Sequence, residues 1–224
     1  MSISAVALFG SRARGDAAPD SDVDVLLIST GHKMHHAAMG NISLYVYPWA
    51  QLLRKAAAGD LFVCHIAREA RPLHDPEDRL NALDRAFRFK ESYAHEIGQA
   101  SDLAWYIARN FHDMPGAIAT KRIAWCVRTI LIARTAEQHR PLFAATELAR
   151  FSGSPHVRRL IAQKDDSEPT PCSIALLGEF LQQHGQTDPV PDGDASAYRS
   201  LFKKKGNAVA LQTARAWIAN YTAL

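Results

Sequence analysis

The sequence predicts an α+β protein, a small α/β unit followed by a helical bundle. Three observations carry that reading. Short β-rich runs alternate with turn residues up to about residue 80, helical periodicity takes over beyond it, and no internal repeat or low-complexity tract interrupts either part. The expected division is residues 1–80 and 81–224.

The elements follow in chain order. Residues 5–9 read as a strand ending at Gly10. Residues 23–28 form a second strand, entered through the turn at 17–21, and residues 42–47 a third, closed by Pro48. Residues 49–58 read as a helix stopped at Gly59 and residues 61–69 as another, with a short strand or turn at 71–74. Leu80, Leu83, Phe87, Ile97, Leu103 and Ile107 then fall at helical spacings, with Tyr93 and Ala100 on the same stripe, which predicts one long helix ending before Pro115. Ala119, Ile123, Cys126, Val127, Ile130 and Leu131 mark a second helix of the bundle. A third starts at Thr146, a fourth carries Val157, Leu160 and Ile161, and a fifth carries Ile174, Leu177, Phe180 and Leu181. Two prolines and a glycine make 186–194 a loop. The last helix, with a break expected at Gly206, holds Val209, Ala210, Thr213, Trp217 and Tyr221.

Composition bounds the class. At 224 residues, 47% apolar and 22% charged, the chain has the make-up of an ordinary soluble protein with a proper core. No run of about 18 apolar residues suggests a membrane span. The apolar start is short, uncharged and followed at once by Gly-Ser, unlike a secretory leader. Cys64, Cys126 and Cys172 lie far apart among apolar residues, a pattern of buried free thiols in a reducing cytoplasm. A net charge of +3 permits a polyanionic partner without demanding one.

The chemistry is concentrated in Leu8-Phe9-Gly10-Ser11-Arg12-Ala13-Arg14-Gly15 and, six residues later, Asp22-Val23-Asp24-Val25-Leu26-Leu27. A strand running into Gly-Ser lets the backbone approach a ligand closely. The amides that follow open a short helix and can hold an anion, with the Ser11 hydroxyl as an extra donor and Arg12 and Arg14 adding positive charge. Asp22 and Asp24 stand two apart at the entry to an apolar strand, so both carboxylates project from one face. Two like charges held together call for a cation. Hard oxygen ligands beside a phosphate suit Mg²⁺, which would neutralise charge on phosphoryl oxygens.

This stretch resembles the Gly-Ser … Ser-Asp-x-Asp signature of the polymerase-β-like nucleotidyltransferases, especially their minimal and antibiotic-modifying branches. The likeness covers residues 6–28, including Ser21 before the first aspartate. It implies that Gly10 and Ser11, with Arg12 beside them, hold a nucleoside triphosphate, ATP by default, and that Asp22 and Asp24 bind Mg²⁺. The implied reaction moves a nucleoside monophosphate onto an acceptor hydroxyl, in a cleft between the two domains. A small molecule or protein is preferred slightly over RNA as acceptor, because the basic run Lys203–Lys205 is short. Two features depart from the family's pattern. Its helix before the first strand has no counterpart here, and the third-strand carboxylate is replaced by the acid-free run 42–47, where Ser43 and Tyr45 take the facing positions. Asp60, Glu69 or an acid of the first long helix are candidates to substitute. With two carboxylates, one metal carried by the triphosphate is expected rather than two.

Other readings stay open. The fold could serve a catalytically weak nucleotide-binding or antitoxin-like partner. Arg134 and His139, with four residues between them, resemble the motif of HEPN ribonucleases, although both also suit a helix C-terminus as cations. His32, His35 and His36 read as an exposed mobile loop, His65 as a hydrogen-bonded core residue, and Trp105, Trp125 and Trp217 as core packing. Oligomeric state is open.

Overall fold

The computed structural model describes residues 2–19, 21–31 and 33–221, and the side chains of Asp113 and 217–221 lie outside that description, Trp217 among them. The chain forms two compact units, Met1–Glu91 and Ser92–Leu224. Mixed sheet and helices together make the fold α+β.

The first unit runs β1 (Ile3–Phe9), α1 (Gly10–Arg14), β2 (Val23–Ser29), β3 (His35–Met39), β4 (Ile42–Pro48), α2 (Trp49–Ala57), α3 (Leu61–Glu69), β5 (Arg71–His74) and α4 (Arg79–Ala86). Its sheet has the order β3-β4-β2-β1-β5. β2 and β4 are parallel, and the other neighbours are antiparallel. Alternation decides which face is covered. Ala5, Ala7 and Phe9 of β1 are buried beside Leu26 and Ile28 of β2, and Phe62 of α3 stacks on Tyr47 of β4. Leu52, Ala56, Val63 and Ile66, all buried, complete that core from α2 and α3.

Two sequence expectations change in this unit. His35 and His36 lie on a strand rather than in a loop, whereas His32 falls outside the described residues. β3 has no apolar alternation and four of its five residues are exposed. It exists because the backbone of β4 accepts it as an edge partner. The signal was the two-residue turn Gly40-Asn41, with Gly40 at φ 60°, which closes the β3–β4 hairpin. The predicted long helix is also two helices, α4 and α5 (Ala94–Asn110). Phe87 is extended and buried in the first unit, while Ser92 and Tyr93 are held by Glu137 of the second. The apolar stripe was the sum of two faces in separate cores.

The second unit continues with α6 (Gly116–Glu137), α7 (Ala145–Ser152), α8 (Val157–Ala162), α9 (Pro171–His184), α10 (Ala195–Lys205) and α11 (Ala208–Tyr221), and Gly206 ends α10 as expected. Its core joins Ile97, Leu103, Tyr106 and Ile107 of α5 to Ile123, Val127, Ile130 and Leu131 of α6, closed by Leu177, Tyr198 and Phe202. The loop after α9 is tied to α5: Trp105 donates to the Gln186 carbonyl at 2.8 Å, and Asp188 accepts from Arg109 and from the Tyr198 hydroxyl. Trp105 and Trp125 are half-buried rather than full core residues. Cys64 and Cys126 are buried, and burial pushes the Cys64 thiol up to about 12. Cys172 is exposed, because it sits in the first turn of α9 on the side away from the buried Ser173. No helix among the described residues is long and apolar enough to cross a membrane.

One buried charge tests this core. The Asp102 carboxylate, 2% exposed, receives both its bonds from Lys205 at 2.8 and 3.1 Å. Lys205→Ala is expected to cost about 2–3 kcal/mol in urea unfolding, below the range for fully buried pairs because Lys205 is partly exposed. Desolvation raises the Asp102 pKa more than Lys205 lowers it. A carboxyl with a raised folded pKa adds stability below its unfolded value and loses it as pH rises through the folded one. The variant's deficit is therefore expected to shrink on acidification. A deficit independent of pH would show that the buried charge is not its source.

Candidate active site

The functional stretch folds into the end of one sheet face. β1 delivers Phe9 opposite Asp24 of β2, and Asp24 lies opposite Ser43 of β4. Side chains of directly paired residues share a face, so Asp22 and Asp24 rise from the same face as the buried Leu26 and Ile28, at its uncovered end. Asp22 is exposed and Asp24 half-buried.

Gly10 begins α1 at φ 73°, in the left-handed region. A Cβ placed on it would stand 2.5 Å from Asp24 Oδ2. Only glycine both adopts this backbone and leaves the carboxylate its place. The chain thereby brings the first turn of α1, where backbone N–H groups lack helical partners, against an acidic side chain.

The two arginines of α1 do something other than extend a phosphate site. Arg12 donates from Nε at 3.0 Å and from a terminal nitrogen at 2.6 Å to the Ser21 carbonyl, and reaches the Pro19 carbonyl at 3.4 Å. Its fork therefore clamps the turn that presents Asp22. Arg14 pairs with Glu69 at 2.7 Å and with Asp16, and the His65 ring meets the same Glu69 oxygen at 2.8 Å. The Arg14 pKa is raised, with Glu69 and Asp16 outweighing the opposing effect of burial. Glu69 thus anchors α1 to α3. Asp60 caps α3 by accepting from Val63 N at 3.1 Å and also pairs with Lys55. These two candidates for the missing third acid are already committed elsewhere.

Tyr45, opposite Leu26, occupies the face where a third acid was sought. Its pKa is raised by burial and then by the charges of Asp24 and Asp22, so it stays a neutral phenol and can donate where an acid would accept. Its ring packs against Phe9, Phe62 and His36, with centroids 5.3, 5.4 and 4.5 Å away. Among the described residues no group of three or more His, Cys, Asp or Glu could hold a metal. The donor set is two carboxylates, which fits a magnesium ion that takes its remaining ligands from water and substrate oxygens.

A model of the nucleotidyltransferase domain family matches residues 2–79. Those residues are thus similar to the nucleotidyltransferase domain family. The match spans every element just described, from β1 to the start of α4. No curated protein matches the chain. Among solved structures it is similar to a nucleotidyltransferase-like protein from Exiguobacterium sibiricum, at 18% identity over 80% of this chain and 69% of that one, with a TM-score of 0.33.

The ribonuclease-like pair lies in the second unit. Arg134 spends its guanidinium on the His184 carbonyl, at 3.2 and 3.3 Å, and lies 3.7 Å from Glu137. His139 sits past the end of α6 at φ 57°. Arg134 joins α6 to the end of α9, which accounts for it structurally.

Proposed function

We propose that the chain moves a nucleoside monophosphate, AMP from ATP in the first instance, onto an acceptor hydroxyl. Asp22 and Asp24 would hold magnesium, and the Gly10–Ser11 backbone with the Ser11 hydroxyl would receive the triphosphate. The nucleotidyltransferase domain would be residues 1–80 and the helical domain 81–224, in the cytoplasm. The observation that supports this reading is the packing at Gly10, where a Cβ would stand 2.5 Å from Asp24 Oδ2, so that the carboxylate proposed for the metal lies against the turn proposed for phosphate. Magnesium, when bound, supplies charge neutralisation at the α-phosphoryl oxygens. The chain's own residues would do the remainder. Asp22 and Asp24 would hold the ion, the amides of the first turn would orient the leaving pyrophosphate, and Tyr45 would offer a hydroxyl donor beside them.

The acceptor is a small molecule or a protein in preference to RNA. Lys205 of the three-lysine run is already paired with Asp102, leaving two exposed lysines there. Incubating the protein with Mg²⁺, α-labelled ATP and fractionated cell extract tests the function. Label is expected in a small-molecule or protein fraction, with release of pyrophosphate. Label confined to RNA would reverse the acceptor preference. An absence of both binding and transfer with every nucleoside triphosphate would remove the reading. A nucleotide-binding protein without turnover is the second reading, favoured by the two-carboxylate donor set.

Arg12 offers a separate check. If it acts as the clamp on the 19–21 turn, Arg12→Ala is expected to weaken Mg·ATP binding about 10- to 100-fold, as outer partners of metal ligands do. Arg12→Lys should recover little, since one ammonium cannot reproduce the fork on Ser21. Calorimetry reads both, and full recovery by lysine would assign Arg12 a charge role instead.

A further inference from the structure

The third carboxylate is missing from its usual strand, yet the face on which it would stand does not end at β4. His36 of β3 is paired with Tyr45, which is paired in turn with Leu26, so His36 shares the face of Asp22 and Asp24. The two rings lie 4.5 Å apart with planes 33° apart, and His36 is exposed. Phe62 packs near Tyr45 at 5.4 Å, so an aromatic column rises from the core and ends in a solvent-facing imidazole. The titratable groups on this face are Tyr45 and Tyr47 of β4, Asp22 and Asp24 of β2 and, over Phe9, His65 of α3. Against Tyr45 itself α3 places the uncharged Phe62.

Direction then matters. Phosphoryl transfer proceeds with attacking and leaving oxygens roughly in line. On the proposed function, the pyrophosphate leaves toward α1, on the β1 side of the carboxylates. The acceptor must therefore come from the opposite side, over β4 and β3, where Ser43, Tyr45 and His36 stand. His36 is about 12 Å from Asp24 between Cα atoms, two strand spacings across and two residues along. That span leaves room for an acceptor hydroxyl between the two side chains.

We infer that His36, held against Tyr45, is the proton acceptor for the attacking hydroxyl, in place of the family's third carboxylate. The hydroxyl proton passes to an imidazole nitrogen of His36 as the acceptor oxygen forms its bond to the α-phosphorus. The bond from that phosphorus to the bridging oxygen breaks, and its electron pair leaves with pyrophosphate. An imidazole nitrogen can accept that proton as a general base.

The inference rests on the nucleotidyltransferase reading, and the test separates the two. Pyrophosphate release from Mg·ATP is followed with water as the acceptor, alongside calorimetric Mg·ATP binding, for the full chain and its His36→Gln and His36→Ala variants. Turnover is expected to fall about 10²- to 10⁴-fold in both variants, with Mg·ATP affinity within about twofold of the parent. The pH profile of kcat should change in His36→Gln, and added imidazole should restore part of the His36→Ala rate. Parent-like turnover or pH profile in the variants overturns the inference, as does a parent that binds Mg·ATP yet releases no pyrophosphate. A parent that binds no Mg·ATP removes the underlying reading itself.

Discussion

Replacing Asp22 or Asp24 by asparagine is expected to reduce nucleotidyl transfer by at least about 10³-fold each, equivalent to several kcal/mol of lost charge stabilisation at the phosphorus. The change is nearly isosteric, so packing is unaltered. Asp22 is exposed, and Asp24 stands at the uncovered end of its sheet face, so neither variant should lose the fold. Circular dichroism and thermal melts should match the parent. Calorimetry of the double variant should show ATP binding that no longer depends on magnesium. Unchanged magnesium-dependent affinity in the double variant would remove both aspartates from the site and the proposed function with them.

Much of the first unit was legible because its side chains alternate. Ala5, Ala7 and Phe9, then Leu26 and Ile28, name the buried face from spacing alone, and Asp22 and Asp24 inherit that face by parity. Parity also pointed to Ser43 and Tyr45 as the positions facing the aspartates, and the parallel register of β4 on β2 pairs Asp24 with Ser43. Arg12 was harder. Its charge suggests an anion, and only the folded turn reveals that the nearest acceptors are the Ser21 and Pro19 carbonyls. Arg14 and Glu69 are 55 residues apart in sequence, so no local pattern announces their pairing. β3 escaped because edge pairing is a backbone interaction, and His-His-Ala-Ala-Met carries no alternation to report it. That omission also hid His36, which reads as a loop histidine until β4 gives it a register. The break between α4 and α5 escaped for the opposite reason. Phe87 and Tyr93 kept a helical spacing although each serves a different core.

Gly10→Ala is expected to lower transfer by at least about 10²-fold, the scale on which a displacement near 1 Å disables a positioned group. The new methyl would meet Asp24 Oδ2 at 2.5 Å, and that oxygen is the end of a side chain that can rotate away. The fold therefore accommodates alanine by surrendering the carboxylate's position, so the damage falls on the chemistry. The backbone adds a smaller cost, because alanine at φ 73° is disfavoured by about 1–2 kcal/mol. A modest fall in melting temperature should accompany a large loss of turnover. The two lesions act through one group, so they should not add: Gly10→Ala combined with Asp24→Asn should be no slower than Asp24→Asn alone. Rates from pyrophosphate release across the cycle of single and double variants give the coupling directly. Strict additivity would mean that Gly10 serves the phosphate turn independently of Asp24, and near-parental turnover in Gly10→Ala would mean that the close approach has no part in catalysis.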